Sequence, residues 1–331
     1  MTPVTVRVPA KVNLQLSVGP PRGDGYHDLV TVFHAVSLFD EVTVRPADRV
    51  SVRVTGEGAA SVPAGRANLA ARAVRALATA ALARRSKSAV QIQIRKRIPV
   101  AAGLAGGSAD AAAALVACNE LWRTGLSQAE LREVAASVGS DVPFALLGGT
   151  AIGQGRGERL TAALVAGTYH WVLAFSAGAL PTPDVYAACD RLRAVRAARA
   201  DSELARAGGP SQRTRTARQE AEAPRPALSM ELMAALRSGD PAAVGPLLSN
   251  DLQAAAVSLR PELRRTLAAG REFGALGGIV SGSGPACAFL AADADRAKAL
   301  AVSLTGAGVG RGVVRVKGPV GGAAVMAAES G

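Results

Sequence analysis

Val90 to Lys96, VQIQIRK, alternates strictly: Val90, Ile92 and Ile94 fall on one side and Gln91, Gln93 and Arg95 on the other, the period-two pattern of a half-buried strand. Val4 to Leu16 reads as a second strand, with Val12, Leu14 and Leu16 facing one way and Lys11, Asn13 and Gln15 the other. Leu29 to Leu38 predicts a strand, and Val42 to Val54 an alternating one after it. Asn68 opens a predicted helix through about Arg84, with Leu69, Ala73, Ala76, Leu77 and Ala80 at helical spacing. Ser127-x-x-Glu130 is a capping box for a helix ending at Gly139, and the glycines of Thr150 to Leu160 predict a hairpin.

The second half continues with a buried strand at Tyr169 to Phe175 and a turn at Pro181 to Pro183 leading to Tyr186. Short helices follow at Ser229 to Arg237, Ala242 to Leu248 and Pro261 to Ala269. Strands at Gly278 to Val280 and Ala286 to Leu290 flank the turn Ser281 to Gly284, before a helix at Asp293 to Leu304 and a strand at Val313 to Val316. Strands alternating with helices predict a ferredoxin-like α+β domain over 163–331, after a first domain over 1–162. Val195 to Pro226 is rich in Ala, Arg, Gly and Pro with almost no large apolar residue, and predicts a mobile insertion.

Between the strand VQIQIRK and the helix-forming run Ala111 to Ala114 lies PVAAGLAGGSAD. A strand, a turn nearly without side chains and a helix start make an anion site, because the first amides of a helix lack partners and carry its positive dipole end. Small residues let a polyphosphate approach the main chain. Ser108 is placed to cap the helix, or to offer its hydroxyl to a phosphate oxygen or Mg²⁺. The plain alternative is tight packing of helix on sheet, with glycines for clearance. In GSDVPF, Pro143 bars helix continuation, which would hold the Asp141 carboxylate in a turn.

No Lys-Ser/Thr pair closes the loop, so it is not a Walker A sequence, and it lacks the GxGxxG spacing of a dinucleotide site. It does resemble the P-x-x-x-G-L-x-x-x-S loop of the GHMP small-molecule kinases, and the resemblance runs on through ordered motifs. PAKVNLQL, 9–16, is similar to the family's first motif, whose Lys and Asn line the active site, here Lys11 and Asn13. DGYHDL, 24–29, resembles the segment with which one branch of the family stacks on and hydrogen-bonds a cytosine, implicating Tyr26 and His27. PTPDVY resembles the segment that covers the other side of that base, through Tyr186. GSDVPF carries the family's catalytic aspartate, Asp141, and SGSGPACAF its third, glycine-rich motif.

The resemblance implies an α+β, two-domain GHMP kinase fold: an N-terminal domain like that of a ribosomal protein and a C-terminal ferredoxin-like domain. It implies ATP and Mg²⁺ as cofactors and phosphorylation of the 2-hydroxyl of a small cytidine diphosphate substrate of the non-mevalonate isoprenoid route. The ATP site would comprise Pro99, Val100, Ala101, Ala102, Gly103, Leu104, Ala105, Gly106, Gly107, Ser108 and Ala109, with Asn68 and Lys96 near the adenine and Ser108 toward the metal. Phosphoryl transfer also needs charge to offset the moving group and an oriented acceptor hydroxyl. Lys11 is the candidate for the first and Asp141 for the second. Departures from the family pattern are Ala101, Ala102 and Ala105 where many relatives have Gly, which tightens the loop, and Ala109 in place of a second Ser. The glutamate that binds Mg²⁺ in other GHMP kinases has no evident counterpart.

Composition sharpens these expectations. Apolar residues make up 49% of the 331, but aromatics only 3%, so the core must be Ala, Val and Leu and each Tyr becomes conspicuous. The net charge of +12 raises a basic nucleic-acid-binding protein as a rival, which would bind RNA or DNA with strong salt dependence. Much of that excess, however, lies between Arg191 and Pro226, where nine Arg face only Asp201, Glu203, Glu220 and Glu222. A homoserine or mevalonate type of GHMP kinase is the nearer rival, yet a base-stacking Tyr26 has no purpose for a substrate without a base. Three scattered cysteines, Cys118, Cys189 and Cys287, fit a reducing compartment. With no signal-like opening and no long apolar run, the expectation is a cytoplasmic monomer or homodimer that holds no nucleic acid stably and no membrane.

Overall fold

The computed structural model describes residues 2–81, 89–206 and 225–327. Its first sheet is built on two long antiparallel strands, β1 (Val4–Pro21) and β2 (His27–Pro46), which pair Lys11 with Ala35 and Asn13 with Phe33. The alternation at Val42 to Val54 is shared between two strands rather than one. Val42 to Pro46 ends β2, and Ser51–Gly56 forms β3 after a turn. Pro46 cannot donate to a ladder, which suits it to the end of a strand. Both pieces pair with β4 (Val90–Lys96), β2 antiparallel and β3 parallel. β5 (Thr150–Gly155) and β6 (Arg159–Ala162) form the predicted hairpin on β2.

Four helices accompany this sheet: α1 (Leu69–Ala81), α2 (Gly106–Trp122), α3 (Gln128–Val138) and α4 (Val142–Leu147). Ala111, Ala112, Ala113, Ala114 and Leu115 are fully buried, packed with Val12, Leu14, Ile92, Ile94 and Leu77. Alanines on nearly every side of α2 let it lie close to both β1 and α1, a contact that larger side chains would hold apart. The capping box of α3 forms as expected, with Ser127 and Glu130 each accepting from the other's backbone amide. Asn68 caps α1, its Oδ1 accepting from the Ala70 amide at 2.9 Å.

β7 (Tyr169–Phe175), β9 (Gly277–Val280), β10 (Ala286–Ala291) and β11 (Gly312–Gly318) form a second, antiparallel sheet in the order β11-β7-β10-β9. With α5 (Thr182–Arg206) after β7 and α10 (Ala294–Gly306) before β11, this is the predicted ferredoxin-like arrangement. Between α5 and β9 lie α6 (Met230–Ser238), α7 (Pro241–Val244), α8 (Gln253–Leu259) and α9 (Glu262–Glu272), of which α8 was not expected. β8 (Ser249–Asn250) and β12 (Ala324–Val325) both join β1, so the first sheet takes edge strands from the second half of the chain.

Two further expectations change. Thr182 and Pro183 start α5 instead of making only a turn, since proline is tolerated in a helix's first turn. α5 then runs on to Arg206, because Ala and Arg favour helix even where few apolar contacts exist; the first part of the expected mobile insertion is therefore helical, and 207–224 lie outside the described residues. No described helix is long and apolar enough to cross a membrane. All three cysteines are buried and unpaired, and burial raises the thiol pKa of each.

Candidate active site

The polar face of β1 would be solvated in an isolated sheet. Here the loop Pro99 to Ala105 and the turn Ser281 to Gly284 close over Lys11 and Asn13, and the segment before α6 closes over Gln15, which donates to Ala227 O and accepts from the Ser229 amide, so all three are buried. A buried ammonium needs acceptors. Lys11 Nζ donates to Asn13 Oδ1 at 2.7 Å and to Gly103 O at 3.0 Å, while Asn13 Nδ2 donates to Thr31 Oγ1 at 2.7 Å. Burial lowers the pKa of Lys11, and the nearby charge of Asp141 opposes the shift. The two covering turns need glycine. A Cβ on Gly103, at φ +77°, would lie 2.0 Å from Ser281 O, and one on Gly282, at φ +54°, 3.1 Å from Lys11 Nζ.

Asp141 occupies the N-cap position of α4 but caps nothing with its side chain. Proline at 143 does not stop a helix there, as the sequence implied, but stands in the first turn of one. The carboxylate is thus left to the cavity, where its charge acts on both Lys11 and Tyr186.

The glycine-rich loop enters α2 through Ala105 at φ 58°, and Ala101 is left-handed as well at φ 54°. Alanine pays about 1–2 kcal/mol in that conformation, so these two departures from glycine strain the loop instead of merely tightening it. Ala105, not Ser108, is the N-cap, and no side chain caps α2. Ser108 lies within the first turn, because the helix begins at Gly106. The first intrahelical bond is Ala109 N to Ala105 O, leaving the amides of Gly106, Gly107 and Ser108 ahead of it. Leu104 and Ala109 turn their side chains into the core.

Lys11, Asn13, Asp141, the loop from Ala101 to Ser108 apart from Leu104, and Tyr26, His27 and Tyr186 share one cavity of about 750 Å³. At its far end the His27 and Tyr186 rings meet at a centroid distance of 4.9 Å, and Tyr26, half exposed, lies beneath the Arg156 guanidinium at 4.9 Å. Burial, with Asp141 and Cys189 adding, raises the pKa of the Tyr186 phenol. His27 Nε2 lies 3.1 Å from both oxygens of Asp190.

Asn68, Lys96, Pro99 and Val100 line a smaller cavity of about 180 Å³ on the other side of the loop. Lys96 is not a free cation there. Its Nζ donates to Asp40 Oδ2 at 2.5 Å and Asp110 Oδ2 at 2.8 Å, all three residues buried. Asp40 also accepts from the amides of Arg97 and Ile98. Burial lowers the pKa of Lys96, but the two carboxylates outweigh it and the net shift is upward. Burial pushes Asp110 up to about 8 against the pull of Lys96. Neither aspartate was singled out from the sequence, where nothing but the fold joins them. Arg156 and Asp190 were missed too; the glycines either side of Arg156 were the one local signal.

Comparison with known proteins fits this geometry. The family profiles described as GHMP kinases N terminal domain and GHMP kinases C terminal match residues 68–149 and 232–310. With close full-length relatives besides, the chain belongs to the GHMP kinase family. A protein of Nocardia farcinica named 4-diphosphocytidyl-2-C-methyl-D-erythritol kinase is 55% identical, over 99% of this chain and 98% of its own. One of the same name from Thermobifida fusca is 51% identical over 98% and 99%. A crystal structure of 4-(cytidine 5'-diphospho)-2C-methyl-D-erythritol kinase, 33% identical, covers 96% of this chain and 100% of its own with a TM-score of 0.71. A homoserine kinase from Cytophaga hutchinsonii, 20% identical with a TM-score of 0.70, shares the fold.

Proposed function

We propose that this protein transfers the γ-phosphoryl group of ATP to the 2-hydroxyl of 4-diphosphocytidyl-2-C-methyl-D-erythritol, giving the 2-phosphate and ADP in the non-mevalonate route to isoprenoid precursors. The observation that carries the reading is the shared cavity: a buried ammonium and an uncapped carboxylate lie between an amide-lined helix start and a pair of aromatic walls. The names of full-length relatives at 51–55% identity support the substrate.

The amides of Gly106, Gly107 and Ser108 receive phosphate oxygens, and the dipole of α2 favours their charge. Asn13 and the Gly103 carbonyl hold the Lys11 ammonium in place, so it meets developing negative charge without reorganising. Asp141 orients the alcohol and accepts its proton. A carboxylate is a far weaker base than an alkoxide, so the proton leaves late, as the oxygen–phosphorus bond forms. Tyr26 and Tyr186 take the faces of the cytosine and His27 its edge. Asn68 and the smaller cavity take the adenine end, with Lys96 acting there through its packing.

No cluster of three His, Cys, Asp or Glu able to hold a metal exists among the described residues. Ser108 fits a Mg²⁺ that arrives on the nucleotide and keeps most of its waters. Such an ion would neutralise phosphate charge. A coupled ADP-release assay tests the reading: CDP-methylerythritol should be turned over and homoserine and mevalonate should not. Turnover of either control alone would overturn it.

A further inference from the structure

The contact between His27 and Asp190 has no part yet in this chemistry. Asp190 stands one helical turn beyond Tyr186 on α5, so the two residues share a face and both line the cavity. An ionised carboxylate only accepts hydrogen bonds, so the hydrogen between Asp190 and His27 belongs to Nε2. In the neutral ring Nδ1 then keeps its lone pair, and it takes no hydrogen bond among the described residues. We propose that Asp190 is a positioning residue: it fixes His27 in the Nε2–H tautomer, so that Nδ1 offers the cavity an acceptor and selects a pyrimidine with an exocyclic amine over one with a carbonyl.

Cytosine carries an amine donor where uracil carries a carbonyl acceptor. An acceptor facing that position pairs with the first and leaves two lone pairs opposed with the second, a mismatch a buried site punishes. The inference rests on reading the cavity as a cytidine site. Holding α5 in place is a separate matter. Arg193 donates to Val18 O at 2.7 Å, Gly19 O at 3.0 Å and Asp251 Oδ2 at 3.2 Å, which seats the helix on β1 without the histidine contact.

Asp190→Asn keeps the size of the side chain but allows an amide N–H to face Nε2, releasing the other tautomer. The chain has three histidines, so ¹⁵N-histidine spectra resolve the state of His27 directly. The wild type should show Nε2–H, and Asp190→Asn a gain of Nδ1–H. In kinetics, the preference in kcat/KM for CDP-methylerythritol over its uridine counterpart should fall about tenfold or more. The change should come through KM for the cytidine substrate, with kcat and KM for ATP unchanged, and Asp190→Glu should recover part of it. If Asp190→Asn does not fold, Asp190→Ser provides the same comparison. An Nδ1–H tautomer in the wild type, or an unaltered base preference in the folded variant, overturns the proposal. A wild type that turns over neither cytidine nor uridine substrate overturns the proposed reaction instead, while the spectra still decide the tautomer.

Discussion

Lys11 and Lys96 are both buried, one on each side of the same glycine-rich loop, and their surroundings differ in kind. Lys96 donates directly to Asp40 and Asp110, whereas Lys11 is held by an amide oxygen and a backbone carbonyl, with Asp141 acting on it only through space. The pKa shifts divide accordingly, upward at Lys96 and downward at Lys11. A charge bonded to its counter-charges stabilises a fold; one kept without such a bond beside a cavity is available to a substrate. The difference separates a structural ion cluster from the proposed chemical centre more sharply than burial does, since burial is common to both.

Matched substitutions should break the pair apart. Lys96→Met leaves the Asp40 charge buried without its partner, and the expected loss is about 3–5 kcal/mol in urea unfolding. Lys11→Met should instead lower kcat by about 10²–10³-fold, with unfolding stability within about 1 kcal/mol of the wild type. Loss of activity in Lys11→Met explained entirely by unfolding would erase the distinction. Because burial lowers the pKa of Lys11, the activity that needs its ammonium should also fade on the alkaline side below the ordinary lysine value of 10.5.

Asp110 sharpens the contrast within the cluster. With its carboxyl pushed up to about 8 from 3.8, the folded protein binds a proton through that window that the unfolded chain releases. Its contribution to stability therefore falls as pH rises from about 4 to 8, and Asp110→Asn should flatten that slope in denaturant titrations across this range. An unchanged slope in the variant would mean that Asp110 is ionised beside Lys96 throughout this range. The smallest effect is expected between the two lysines, in the loop itself. Ala105→Gly removes a left-handed alanine and should stabilise by about 1 kcal/mol, offset in part by the greater entropy of an unfolded glycine. Thermal unfolding checks the sign.

Local pattern made much of this legible. VQIQIRK, the capping box at Ser127 and the glycine-rich entry to α2 all formed as read, because each rests on interactions within a few residues. Reading failed where neighbouring residues compete. Proline after Asp141 and near Thr182 could stop a helix or start one, and only packing against the core favours the start. The Ala- and Arg-rich stretch after Val195 carries helix propensity without apolar periodicity, and α5 extends through its first part on propensity.

By itself, then, the sequence determined where backbone amides would be exposed at the start of an alanine-rich helix, and which strand faces would be apolar. Periodicity, glycine and proline act over a few residues, so they can be read in one dimension. Only the tertiary structure decided which polar side chains meet: Lys11 with Gly103, His27 with Asp190, and Lys96 with Asp40 and Asp110. Burying such groups is favourable only when chain closure brings acceptors to donors from distant segments, and no local pattern encodes that meeting.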